Sequence, residues 1–209
     1  MELYFSPLAC SMATRIALYE AGAEADFTQV DLKAKRVADG SDFFAVNPMG
    51  QVPVLRTEAG ETLTENPVVL QYVAERFPNA NLAPWDAGGR HYLQQWLSFI
   101  GSELHKLVFS PLLDPTSPAG AKEFARAKAA TRFARLDAHL AGRDCLLDRF
   151  SVADAYLTTV LNWCGPAGLD LSPYEAVQDY HRRMLARPSV AKAVGEERAL
   201  YEAAQSRAA

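Results

Sequence analysis

Residues 2–32 read "ELYFSPLACSMATRIALYEAGAEADFTQVDL", and the order of patterns in them is strand, helix, strand. "ELYFS" (2–6) is short, aromatic and apolar, and Pro7 closes it, which predicts a strand. Ser11 is placed to cap a helix that carries Met12, Ile16, Ala17 and Tyr19 or Glu20, with Gly22 at its C-terminal end. "DFTQVDL" (26–32) alternates Phe27, Gln29 and Asp31 with Thr28, Val30 and Leu32, the period of a strand. Two strands joined by a helical crossover run parallel.

Further along, "VPVLRT" (52–57), "EAG" and "ETLT" (61–64) read as a hairpin with a short glycine-containing turn. "ENPVVLQYVAERF" (65–77) spaces Val68, Val69, Tyr72 and Val73 as a helix does, and Pro67 is tolerated because it falls in the first turn. The order βαβ then ββα is the connectivity of a thioredoxin-like domain, assigned here to residues 1–79. Two prolines, two asparagines and a glycine in "PNANLAPWDAG" (78–88) break all periodicity, so a linker is expected over 80–88. Residues 89–209 are expected to be an all-α domain, with amphipathic or apolar runs at 89–109, 119–141, 152–163 and 174–187, the last ending before Pro188.

The chain has 209 residues, 49% hydrophobic and 22% charged, with 21 Lys+Arg against 25 Asp+Glu for a net charge of −4. It carries no basic patch suited to nucleic acid and no apolar run near the roughly 20 residues of a membrane helix. The acidic start "MELYF" does not read as a secretory signal. Three widely spaced cysteines, Cys10, Cys145 and Cys164, form no metal-binding cluster and no obvious disulfide pair. A reducing cytoplasm is expected, with small molecules or a second copy of the chain as partners.

One thiol stands apart. Cys10 precedes Ser11 at a helix start, where unsatisfied N–H groups and the helix dipole favour a thiolate. Cys145 follows no such signal, and Cys164 sits in "LNWCG"; both read as packing residues. In "QQWLSFIGSELHK" the offsets from Ser98 to Ser102 to His105 are those of one helical face, opposite a core stripe of Leu93, Leu97, Ile100, Leu104 and Leu107. In "FSVAD" (150–154), Ser151 and Asp154 have the spacing of a reciprocal capping box, a structural feature with no chemistry assigned.

Taken together, "YFSPLACSMATRIAL", "DLKAKR", "FFAVNPMGQVPVL", "TLTEN", "SELHK", "FSVADAYL" and "RMLARPSV" resemble a glutathione S-transferase of the bacterial beta class, over residue 2 to about 194. The resemblance implies a thioredoxin-like domain followed by a helical one, a homodimer, and glutathione as co-substrate without a metal. It implies a cis Val52-Pro53 bond, with Val52 pairing main chain to main chain with the cysteinyl unit of glutathione. Glu65 and Asn66 would take the γ-glutamyl end, and Lys35 the glycyl carboxylate. Ser98 and Ser102 would reach glutathione held by the partner chain, although Ser98 stands where relatives carry Asn. Glu103, Leu104 and His105 of the same segment, together with Pro53, complete the glutathione-binding set that the resemblance implies. Cys10, Ser11 and His105 would activate the thiol, which attacks an apolar electrophile lodged near Phe109, Leu112 and Trp163. Thiol-disulfide exchange through Cys10 is the nearest variant. A non-catalytic ligand-binding protein and a glutathione-dependent dehalogenase or isomerase are the rivals.

Overall fold

A computed structural model of the chain describes residues Met1–Ala208. It separates into two compact units, Met1–Ala83 together with the segment from Pro188 onward, and Pro84–Arg187.

Unit 1 is built on a five-stranded sheet of order β3-β2-β1-β4-β5. Its strands are β1 (Glu2–Phe5), β2 (Asp26–Asp31), β3 (Arg36–Val37), β4 (Val54–Arg56) and β5 (Thr62–Thr64). β1 and β2 are parallel, and every other pairing is antiparallel. Side chains alternate across the sheet as the pleat requires. Tyr4, Val30 and Val54 join Val37, Phe43 and Val52 in one buried cluster.

Helix α1 (Met12–Glu20) is buried from Met12 through Leu18, Thr14 and Arg15 included. The reason is that α2 (Asn66–Arg76) and the terminal helix α9 (Pro188–Ala208) both pack against it. α1 ends where expected. The N–H of Gly22, at φ +62, bonds to Tyr19 and that of Ala23 to Leu18, a left-handed stop suited to glycine. The segment expected to be one all-α domain, 89–209, is divided, because Pro188 opens α9 and α9 belongs with unit 1.

Unit 2 holds α3 (Ala87–Ser98), which continues as a π-helical stretch (Phe99–Phe109) and then α4 (Ser110–Leu113). It also holds α5 (Ala119–Leu140), α6 (Val152–Leu161), α7 (Cys164–Ala167) and α8 (Glu175–Leu185). At the end of the π stretch the N–H of Ser110 bonds to the carbonyl of His105, five residues back. A wider turn changes which side chains share a face. The core stripe steps from Leu104 to Val108, and Leu107, expected inside, is only half-buried. The capping box forms at α6, where Asp154 accepts the N–H of Ser151 at 2.9 Å.

Candidate functional site

The turn after β1 carries Cys10, half-buried, its thiol donating to the carbonyl of Val52 at 3.1 Å. The peptide between Val52 and Pro53 is cis, as expected. Just before Cys10, Leu8 has φ +60, a rare conformation for a branched residue. It is held by Glu197 of α9, whose Oε2 accepts the Leu8 N–H at 2.7 Å.

Lys35 lies at φ +56 in the tight turn between β2 and β3, and its Nζ donates to the carbonyl of Gly50 at 2.8 Å. That brings an ammonium to the loop leading into Val52. Glu65 has φ +65 and ψ 120 at the start of α2, and its side chain caps nothing. Such a backbone costs of order 1–3 kcal/mol and persists where the surroundings or a function demand it. Next to it, Asn66 is 3% exposed, and its Nδ2 donates to the carbonyl of Cys10 at 3.1 Å. Its Oδ1 is buried without a hydrogen-bond partner, a cost of about 1–3 kcal/mol. The resemblance places Asn66 at the γ-glutamyl end of glutathione, where its side chain would donate. What the structure leaves unpaired is an acceptor.

In unit 2, Ser98 and Ser102 are exposed, and the Ser102 hydroxyl donates back to the carbonyl of Ser98 at 2.9 Å. His105 differs from them. It is largely buried, its Nδ1 lies 2.7 Å from the Tyr156 hydroxyl, and its ring packs edge-on to Trp163 at 5.0 Å. Burial pushes its pKa down to about 4, with nearby Lys106 adding to the effect, so the imidazole is neutral at pH 7. For His105 to donate from Nε2–H, Nδ1 must accept from the Tyr156 hydroxyl. Glu103 forms a two-pronged ion pair with Arg132, at 2.6 and 3.0 Å.

The family models for the glutathione S-transferase N-terminal domain and C-terminal domain match residues 1–75 and 101–188. Glutathione S-transferase GstA of Escherichia coli O157:H7 is 39% identical over 94% of this chain and 98% of its own length. The chain belongs to the glutathione S-transferase family. A sphingomonad glutathione S-transferase solved in complex with glutathione is 43% identical, with a TM-score of 0.90, over 94% of this chain and 98% of that one. A beta-class enzyme from Sphingomonas chungbukensis is 44% identical at the same TM-score and the same coverage. The thioredoxin-like and helical arrangement anticipated from the sequence is thus this transferase's fold.

Several residues expected at the transferase's site are occupied otherwise. Ser11 does not cap α1 with its side chain: it is fully buried, accepting the N–H of Ser6 at 3.2 Å and donating to the Ser6 carbonyl at 3.4 Å. The side chain of Leu104 is fully buried in the helical core. Phe109, expected to line an electrophile pocket, is also fully buried, packed on Phe133 and Trp163. Leu112 is nearly buried, while Trp163 is half-buried. Cys145 and Cys164 are free thiols that burial pushes up to about 11 and 12. Sequence reading did not find Glu197, Arg15 or Tyr156. A charged residue inside an otherwise apolar helical run was the signal available for Arg15. Glu197 and Tyr156 carried none.

Proposed function

We propose that this chain is a glutathione transferase, which adds the glutathione thiolate to small apolar electrophiles. The observation that carries the reading is the meeting of three segments at Cys10. Its thiol reaches the Val52 carbonyl at 3.1 Å, and its own carbonyl is held by Asn66 at the start of α2 at 3.1 Å. Those are the segments that the resemblance assigns to the cysteinyl and γ-glutamyl parts of glutathione, and a relative 43% identical was solved in complex with that ligand. Glu65 would accept from the ammonium, backbone N–H groups at the start of α2 would receive the carboxylate, and Lys35 the glycyl carboxylate.

A cysteinyl N–H of glutathione would compete with the Cys10 thiol for the Val52 carbonyl. Binding then frees the thiol at a helix start, where an anion is favoured. In conjugation, the glutathione thiol gives up its proton, its sulfur bonds to the electrophilic carbon, and a leaving group such as chloride departs with the bonding electrons. The proton leaves to solvent, and His105, neutral at pH 7, is proposed to steady the thiolate by donating a hydrogen bond from Nε2–H while Nδ1 accepts from the Tyr156 hydroxyl. Buried and already bonded, Ser11 is better read as a support of the Cys10 turn. Cys10 thiolate can also attack oxidised glutathione, forming a mixed disulfide and releasing one glutathione thiolate. The reading includes a homodimer, in which Ser98 and Ser102 reach the partner's glutathione, and a cytoplasmic setting, supported by the free cysteines. No helix among the described residues is long and apolar enough to cross a membrane.

Intact mass after incubation with oxidised glutathione tests the site. A gain of roughly 305 Da, the mass of one glutathionyl group in a mixed disulfide, is expected in the wild type and not in Cys10→Ala. Turnover of a chloronitroaromatic substrate tests the activity. A wild type with neither adduct nor turnover would favour the non-catalytic binding protein.

A further inference from the structure

We propose that Asn66 is a positioning residue for Cys10, tying the start of α2 to the cysteine's backbone. This rests on the glutathione reading, because it explains how a ligand end held at α2 and a thiol end held at Cys10 are kept in one geometry.

Asn66 is the first residue of α2, one past the capping position that Glu65 occupies, and its side chain bonds no first-turn N–H of the helix. Its Oδ1 is buried without a hydrogen-bond partner, and the residue before it makes no side-chain cap either. The carboxamide instead spans 56 positions of sequence to donate to the Cys10 carbonyl at 3.1 Å. That carbonyl also accepts the N–H of Ala13 at 3.2 Å, so two donors from different elements fix the peptide that follows Cys10. With the thiol on the Val52 carbonyl at 3.1 Å, the cysteine is held on both its backbone and its side chain. A buried polar side chain that leaves its acceptor empty to make one distant bond is spent on that bond.

The test is the pH profile of Cys10 alkylation by iodoacetamide in the absence of glutathione, in the wild type, Asn66→Ala, Asn66→Asp and Asn66→Ser. Cys145 and Cys164, held near 11 and 12 by burial, stay protonated around neutral pH, and Cys10→Ala supplies their background rate. In Asn66→Ala and Asn66→Asp the alkylation rate at neutral pH falls about threefold to tenfold, as the loss of one neutral hydrogen bond implies, and the midpoint moves to higher pH. Asn66→Ser, a shorter donor, lies between these and the wild type. Should Asn66→Ala fold poorly, Asn66→Ser carries the comparison, since it buries no charge beside Cys10. Profiles of both variants that overlay the wild type, whether or not the melting temperature or the KM for glutathione changes, would overturn the proposal. A wild type that forms no glutathione adduct would overturn the glutathione reading while leaving these profiles to decide the role of Asn66.

Discussion

Glu197 and Leu8 stand 189 positions apart in the chain, yet the Glu197 carboxylate accepts the Leu8 N–H at 2.7 Å. The same carboxylate pairs with the Nε of Arg15 at 2.9 Å, where both side chains are buried. The Arg15 guanidinium lies over the rings of Phe5 and Phe27, at 4.2 and 4.1 Å. Its Nη1 reaches Glu196 at 3.1 Å. One carboxylate from the last helix thus holds the strained turn before Cys10 and neutralises a cation within α1. Glu197→Ala leaves that cation short of its buried partner and is expected to cost about 3–5 kcal/mol. Glu197→Gln, which keeps an acceptor for Leu8, costs less. Urea unfolding checks both, and a loss below about 1 kcal/mol in the alanine variant would refute the role.

His105 makes stability depend on pH in a stated direction. Burial holds its folded pKa near 4, against about 6.5 in the unfolded chain. Between those values the unfolded state binds a proton that the folded state refuses, so stability falls as pH is lowered from 6.5 to 4. The loss attributable to this group is about 3 kcal/mol, and none of it is present above pH 7. His105→Gln should flatten that part of the profile measured by denaturant unfolding. Equal acid slopes in the two proteins would contradict the burial argument.

Glu65 predicts opposite effects on stability and binding. At φ +65 and ψ 120 its backbone suits glycine, so Glu65→Gly relieves strain and is expected to raise stability by about 1 kcal/mol. The same change removes the carboxylate proposed to meet the glutathione ammonium, so KM for glutathione rises about tenfold or more. Calorimetric melting and steady-state kinetics on one preparation test both. A variant both less stable and unaltered in KM would refute this account.

Asp154 supports a loop as well as a helix start. Its Oδ1 accepts the N–H of Leu146 at 2.8 Å and the Tyr180 hydroxyl at 2.9 Å, and its Oδ2 accepts from the Ser151 backbone and hydroxyl, each at 2.9 Å. Asp154→Ala orphans two buried backbone donors and a phenol, for an expected loss of about 3–5 kcal/mol. Ser151→Ala, which removes only a cap, costs about 1 kcal/mol. Equilibrium unfolding that finds the two losses equal would show the loop bonds to be unimportant.

The βαβ-ββα order was legible because each element has its own local period and its own stop, such as Gly22 after α1. β3 was not. It has only Arg36 and Val37, inside a charged run that gives no alternation. The capping box at Ser151 and Asp154 could be read because both residues lie within one turn, while the bonds from Asp154 to Leu146 and Tyr180 could not. Counting offsets of four and three put Ser98, Ser102 and His105 on one face, which holds for an α-helix. The π stretch from Phe99 to Phe109 leaves both serines exposed and His105 largely buried.

By itself the sequence determined the element order and the place of Cys10 at a helix start, since these rest on local pattern, while Lys35, Val52, Glu65 and Asn66 became candidates only through the resemblance of the motifs that contain them. Only the tertiary structure decided that Ser11 turns to Ser6, that Asn66 gives its donor to Cys10, and that Glu197 closes on Leu8 and Arg15. The physical reason is that a buried polar group takes whatever partner packing brings within about 3 Å. Such partners come from distant segments, so no window of the sequence contains both.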